Sequence, residues 1–435
     1  MFLSPTVTVS TGTLTVGGMI SGSYGLTKAG TGVLVLGGIS NYTGTTVVSS
    51  GLLQVGAGST TGSLSPGSLS VLSGGVLVFN RSNTVTQGAD FGSVISGAGS
   101  LMQMGSGTLI LSGSNTYTGT TTISAGILQI GNGGSTGSLS SSSTITISRG
   151  AILAFNESRT LTQGTEFASA MGGDGSVSLF GSGSLLMQDG NTYLGGSTLV
   201  AGTLFLVGSG SAHLGPQLTA GTLTLKGGVL NFGSNTKYTV GALAGSTGLA
   251  LTNSLAQAVE FTAGNTIGYS NIFSGTISGV GSLIKSGAGT QILSGTNTYT
   301  GVTTVSAGSL QIGDGGTTGS LSTSSSITIG TGAVLGFNRS NAVVEGTDFK
   351  SIISGTGTLM QLGGGTLVLT ATQTYTGETI VKAGTLQIGN SGTTGTLSTS
   401  STITVNSGAV LAFNRTNQIS QGVNFKAGIY GAGVV

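Results

Sequence analysis

The chain has 435 residues, 84 of them glycine, with 12 basic and 10 acidic side chains and neither cysteine nor tryptophan. That excludes disulfides, thiolate metal sites and cysteine nucleophiles, and the charge is too sparse for the basic surface that a phosphate backbone requires, so no nucleic-acid partner is expected. Hydrophobic residues make up 37% against 5% charged, the reverse of a disordered chain, which is poor in apolar residues and rich in net charge.

The opening stretch MFLSPTVTVSTGTLTVGG alternates apolar and polar residues and reads as an incomplete first coil. It has no basic n-region, sustained apolar core or small-residue cleavage site. No run of about 18 apolar residues occurs, so no spanning helix is expected.

From Ser21 a large unit begins and recurs. Its first half is a strand-dense block at Ser21–Gly58, Ser96–Gly133, Gly172–Gly210 (worn), Ser274–Gly315 and Ser354–Gly392. Short Val/Ile/Thr/Leu alternations there are separated by Gly, Ser, Asn and Thr clusters, the pattern of brief strands joined by tight turns. Tyr-Thr-Gly marks each block at Tyr42, Tyr117, Tyr299 and Tyr375, with a degenerate Tyr193-Leu-Gly between; successive tyrosines stand 75, 76, 106 and 76 residues apart. Asn41, Asn115, Asn191 and Asn297, just before the tyrosines, read as polar turn positions.

The second half of the unit opens on a TGSLS-type turn at Gly62, Gly137, Gly319 and Gly395. It runs to an aromatic corner at Phe79-Asn80, Phe155-Asn156, Phe337-Asn338 and Phe413-Asn414. A Gln-Gly or Glu-Gly turn and a second phenylalanine follow, at Phe91, Phe167, Phe349 and Phe425. Between Tyr193 and Tyr299 the spacing lengthens, Asn231-Phe232 is only a loose counterpart of the corner, and His213, Pro216 and the Leu249–Phe261 stretch are unique.

Self-similarity at this period means units that bury their apolar faces against neighbours. Helix-period signals are missing, and Asp189-Gly190 is the only candidate for an Asn-Gly or Asp-Gly hairpin turn joining paired strands of similar length. The reading is an all-β fold, a right-handed single-stranded parallel β-helix (solenoid), on the general handedness of parallel crossovers. Like residues are expected above like, in ladders of Asn, Ser, Thr and aromatic side chains. One continuous solenoid over 1–435 is expected, with internal repeats at 21–95, 96–171, 172–273 (degenerate, with an extra coil), 274–353 and 354–435 (truncated).

The stretches Gly105–Gly134 (GSGTLILSGSNTYTGTTTISAGILQIGNGG) and Gly287–Gly316 (GAGTQILSGTNTYTGVTTVSAGSLQIGDGG) resemble the autotransporter-associated β-strand repeat of bacterial surface proteins. The resemblance implies a passenger region, exported and displayed at the surface or outer membrane of a Gram-negative-type cell, whose repeats assist secretion and folding. The last residues, FKAGIYGAGVV, stop partway through a unit and carry no barrel strands, so a piece of a longer protein is expected.

Candidate chemistry is thin. Gly133–Gly137 fits G-x-S-x-G, but an elbow needs a strand-to-helix turn with a base and an acid beside it; the matching places hold Thr60, Thr317 and Thr393. The lone His213 has no acid within twenty positions, and Asp174 and Asp314 lack a calcium-loop pattern. Arg81 with Asp90, Arg339 with Asp348, and Glu157 with Glu166 are nine residues apart, and Arg415 pairs in register with neutral Asn424. A glycan-cleaving carboxylate row is one reading. Copies three or four coils apart would separate equivalent acids by roughly 14–19 Å, against about 5–9.5 Å for glycosidase pairs; an exposed loop with weak ion pairs is preferred. The tyrosines and phenylalanines read as packing rather than sugar platforms, and the N-x-[ST] sequences, such as Asn41, Asn80 and Asn338, arise from the repeat.

The function expected is a non-catalytic, adhesin-like passenger stalk with no cofactor and no metal. Its partners would be a host or matrix surface or a glycan, with end-to-end self-association through an open strand edge. The competing readings are a self-assembling surface-layer or filament protein and a carbohydrate-active β-helix enzyme.

Overall fold

In the computed structural model, the described residues are 5–92, 94–140, 144–167, 170–208, 221–264, 269–322, 326–349, 352–397, 402–425 and 428–435. His213 and Pro216 lie outside them. Every regular element among the described residues is a β-strand, and every strand pairing is parallel; a single antiparallel bridge joins Thr252 and Ala258. Most strands are short, two to five residues, because a glycine-rich turn redirects the chain after each side of a coil. The all-β parallel solenoid expected from the periodicity is the fold that forms.

The described residues fall into two compact units, 1–216 and 217–435. In the first, four parallel sheets surround the core, one of them formed by Leu161–Thr162, Ser184–Met187 and Thr203–Leu206. The first sheet contains Thr6–Thr8, Leu26–Ala29, Thr46–Val48, Leu69–Val71 and Ile95–Ser96. The second runs from Thr13–Val16 through Val33–Leu36, Gly51–Val55, Gly75–Phe79 and Ser100–Gln103 to Thr121–Ile123, Ile145–Ile147 and Met171–Gly172. The third includes Val85–Thr86, Thr108–Leu111, Ile127–Ile130, Ile152–Phe155, Ser176–Leu179 and Ser197–Leu199. In the second unit, one sheet holds Lys237–Val240, Glu260–Gly264, Ser282–Ser286, Thr303–Val305, Ile327–Ile329 and Ile353–Gly355. Another begins at Thr222–Leu225 and ends at Ile429–Tyr430, and a third holds Val343–Val344, Thr366–Leu369, Thr385–Gly392 and Val410–Arg415.

Alternate residues point inward, as the period of two demands: Leu34, Leu36, Leu53, Leu77, Leu109, Leu111, Leu128 and Ile130 are all at most 1% exposed. Neighbouring coils differ in length, which decides how the repeats are arranged. Leu26 pairs with Thr46, Thr46 with Leu69, and Leu69 with Ile95, so partners stand 20, 23 and 26 residues apart. A unit of 75 or 76 residues is therefore more than three coils. Its successor begins one side further round: Leu26–Ala29 is in the first sheet, its counterpart Ser100–Gln103 in the second, and Ser176–Leu179 in the third. In the second unit, Ser282–Ser286 and Thr358–Gln361 likewise occupy different sheets.

This corrects the expectation of like above like. Leu101 lies on Thr121, and Thr121 on Ile145, so vertical neighbours are different positions of the repeat. Among the described residues, the ring pairs of the corners form within a unit and do not run as a ladder from unit to unit. Asp189-Gly190 is no hairpin turn: Ser184–Met187 pairs with Leu161–Thr162 and Thr203–Leu206 instead.

Candidate functional site: a pinned loop over the aromatic corner

Each tyrosine of the Tyr-Thr-Gly series is buried, 0–1% exposed, and its hydroxyl lies 2.5–2.6 Å from a hydroxyl four residues on: Tyr42 with Thr46, Tyr117 with Thr121, Tyr193 with Ser197, Tyr299 with Thr303 and Tyr375 with Thr379. Burial raises the pKa of every one of these phenols. They offer no platform to a ligand.

Two residues before the tyrosine sits a second buried polar group. Asn115 Oδ1 accepts from the Ile95 amide and from Gln87 Nε2, and Asn191 Oδ1 does the same with Met171 and Gln163. Asn297 accepts from the Ile277 amide. Asn41 is out of this register: it is exposed, and buried Ser40 takes the place. Sequence proximity to the tyrosine was a misleading guide by one residue. Gln373, missed in the sequence, fills the place in the last copy.

The corner is built on paired rings. Phe79 and Phe91 have centroids 5.0 Å apart, Phe155 and Phe167 4.9 Å, Phe337 and Phe349 5.2 Å, and Phe413 and Phe425 5.4 Å. Asn231-Phe232 diverges: Phe232 packs against Tyr238 and Phe261 at 5.6 and 6.2 Å. The asparagine after the first phenylalanine acts through its main chain. Gly58 N donates to Asn80 O (2.9 Å), Gly133 N to Asn156 O (2.7 Å) and Gly315 N to Asn338 O (2.9 Å). At Asn414 the side-chain Oδ1 accepts from Ser391 Oγ at 3.2 Å.

These bonds fasten the foot of a loop, Gly56–Gly62 in the first copy, whose tip residues 57–61 are exposed. The next residue of the corner pins it. Arg81 Nη1 donates to Gly62 O (2.9 Å), Nη2 to Thr60 O (2.7 Å) and Nε to Asn83 Oδ1 (3.0 Å). Arg415 repeats the set on Gly395, Thr393 and Asn417. Arg339 donates to Gly319 O and Asn341 Oδ1 and closes an ion pair on Asp348 at 2.8 Å. Arg81 and Arg339 are 9% and 8% exposed. They are buried loop clamps, a correction to the exposed, weakly paired loop read from the sequence. The planar guanidinium suits this work because its donors diverge in fixed directions toward several carbonyls at once.

The acids nine residues after the corner also have a backbone role. Asp90 Oδ2 accepts from Thr86 N (2.7 Å), Asp348 Oδ2 from Val344 N (2.8 Å) and Asn424 Oδ1 from Ser420 N (2.8 Å); Glu166 accepts from Thr162 N. A neutral asparagine serves at this place because an acceptor oxygen, not a charge, is required. Within the first unit the strands leading to Asp90 and Glu166, Val85–Thr86 and Leu161–Thr162, lie in different sheets, so these two acids are not set side by side as a hydrolytic pair would be. Ser135 is exposed in the loop over the second corner. Among the described residues, no cluster of His, Cys, Asp or Glu could hold a metal.

Two interior cations escaped the sequence reading. Lys28 and Lys285, 0% and 1% exposed, point inward and turn their Nζ back onto main-chain carbonyls: Ala29, Gly30 and Ser50 for Lys28, Ser286, Gly287 and Ala307 for Lys285. Gln103 and Gln361 do the same at the matching place. Burial lowers the pKa of both lysines, that of Lys285 to about 8.

Residues 26–55, 103–130, 283–312 and 361–388 match the passenger-associated-transport-repeat family. The chain carries four stretches similar to this passenger repeat. It is 30% identical to the Adhesin BmaC autotransporter of Brucella suis biovar 1 (strain 1330), over 72% of this chain and 10% of that protein. The chain thus spans about a tenth of that relative's length. No solved structure matches it. Each passenger repeat ends one residue before the loop begins, at Val55, Ile130, Ile312 and Ile388. The matched element is thus a four-stranded scaffold with its buried tyrosine, while the pinned loop and aromatic corner lie between repeats.

Proposed function

We propose that the chain is a non-catalytic segment of an exported surface passenger, an adhesin-like stalk that holds short polar loops in fixed positions. The observation that carries this is the clamp of Arg81, Arg339 and Arg415 on loops whose tips are exposed. A loop fixed before binding loses less conformational entropy when it binds, which favours contact with a surface. The relative's name as an adhesin autotransporter and the passenger-repeat matches support export and display at the cell surface. A stalk reading also accounts for where the polar atoms go: Asp90, Glu166, Asp348 and the interior lysines hold the backbone, and the buried tyrosines pair with neighbouring side-chain hydroxyls.

The first test is fractionation of source cells with an antibody against this chain, with protease added to intact cells. Surface or outer-membrane recovery with cleavage of intact cells is expected; a protease-protected cytosolic protein would overturn the reading. Beads coated with the purified chain then test adhesion. Binding to host cells or matrix should fall when the three arginines are replaced by Ala together. Glycan cleavage by the purified chain would overturn the non-catalytic assignment.

A further inference from the structure

The second corner departs from its sisters by an exchange of two side chains. Where the others read Arg-x-Asn (Arg81–Asn83, Arg339–Asn341, Arg415–Asn417), it reads Glu157-Ser158-Arg159. The carboxylate therefore enters the cradle built for a guanidinium. Glu157 is 2% exposed and lies against Gly131 and Gly137, so close that a Cβ on either would collide with its Oε1. Neither of its oxygens has a hydrogen-bond partner.

Its nearest cation is Arg159, whose Nε stands 3.6 Å from Oε2 and is itself without a hydrogen-bond partner. Arg159 gives its remaining donors to Gly137 O, Thr160 O and the carboxylate of Glu166. The charged groups facing Glu157 are thus Arg159 and, beyond it, Glu166. The loop Gly131–Gly137 on one side and Gly181–Gly183 on the other carry no titratable side chain. One arginine is shared by two carboxylates, and the buried one lacks hydrogen bonds, an arrangement that disfavours its charged form.

We propose that Glu157 is a proton-operated latch: with the carboxyl protonated the loop Gly131–Gly137 closes over its corner as the sister loops do, and with the carboxylate charged it opens. A carboxyl O–H can donate to the loop carbonyls that the sister guanidinium groups serve; a carboxylate can only repel them. Burial, partly offset by Arg159 and reinforced by Glu166, raises the pKa of this group to about 7. The folded corner therefore holds a proton that the opened corner, near the ordinary 4.5, has released. Closure is strongest below about pH 4.5 and weakens as pH rises to about 7, where the loss is complete.

Hydrogen exchange tests this with an internal standard. The Gly133 amide, donating to Asn156 O, is compared with Gly58, donating to Asn80 O, in the same full-length molecule. Protection at Gly133 relative to Gly58 should fall about tenfold per pH unit between pH 4.5 and 7 and then level off. Glu157→Gln should abolish that slope. Glu157→Arg with Arg159→Asn, which recreates the sister corner, should give pH-independent protection equal to that of Gly58. A wild-type slope no different from Gly58, or a slope that persists in Glu157→Gln, would overturn the latch. So would recovery of protection at pH 8 on adding calcium or magnesium, since the cradle would then be a cation site.

Discussion

Gln373 Nε2 donates to both carboxylate oxygens of Glu345, at 3.0 and 3.1 Å, in the place where Gln87 and Asn115 exchange amide hydrogen bonds. Gln373 and Glu345 are both buried, 2% and 4% exposed. A longer amide has met a changed acceptor, and the main chain completes the solution: Thr370 N and Ala371 N donate to Glu345 Oε2 at 2.6 and 2.8 Å. The buried charge is satisfied by amide donors without a cation.

That geometry makes the pair strongly coupled. Gln373→Ala removes two donors from a buried carboxylate and should cost about 2–4 kcal/mol. Glu345→Gln, which leaves an amide like Gln87, should cost about 1 kcal/mol or less. In a double-mutant cycle with Glu345→Ala and Gln373→Ala, unfolding in urea should show a coupling above about 1 kcal/mol. Additive costs would mean that the two side chains are held independently by the backbone.

The tyrosine hydroxyls give a second, directional test. Tyr299→Phe removes one hydroxyl from a buried pair, and the expected cost is about 1 kcal/mol. Thr303→Val leaves the Tyr299 hydroxyl buried without its partner, so about 1–3 kcal/mol is expected. The valine variant should therefore unfold at lower urea than the phenylalanine variant. The opposite order would show that Tyr299 finds another partner.

Much of this was legible in the sequence. Alternating apolar residues between glycine clusters fix the strands, and a 76-residue period implies stacked coils. The walk of successive units from sheet to sheet was not legible, because tyrosine spacing counts residues and not coils. Only the register of Leu26, Thr46, Leu69 and Ile95 reveals unequal coils, and with them the failure of like-above-like stacking. The corner acids carried a usable signal: neutral Asn424 at the place of Asp90 and Asp348 already argued for an acceptor rather than a charge. Lys28 and Lys285 occupy positions held by Gln103 and Gln361. A charged residue in that place suggests an outward side chain until the carbonyls that receive it are seen.

Lys285 makes stability depend on alkaline pH. Burial lowers its pKa from 10.5 to about 8, so between these values the unfolded chain binds a proton that the folded chain has lost. Stability from this group rises with pH across that window, by about 3 kcal/mol in all, and is lost as pH falls through 8. Lys285→Gln installs the neutral donor of Gln103 and Gln361 and removes the dependence. Thermal unfolding should show the variant ahead of the wild type at pH 7, with the gap narrowing by pH 10. An unchanged gap would place the proton elsewhere.

The close approach of coils can be tested at a single glycine. Gly355 has φ +100°, a conformation that favours glycine, and a Cβ there would run into the Ile329 carbonyl of the adjacent coil. Gly355→Ala must therefore bear both backbone strain and a displaced strand pairing, for an expected loss of about 2 kcal/mol or more. Gly134 is the contrast: its φ is ordinary for any residue, and a Cβ would meet nothing within 4 Å. Gly134→Ala should fall within about 0.5 kcal/mol of the wild type, or gain slightly through a stiffer unfolded chain. Equal losses at the two sites, measured by urea unfolding, would mean that coil spacing is not set by these contacts. A loss confined to Gly355 would mean that glycine is required where coils touch and is dispensable in the open loop.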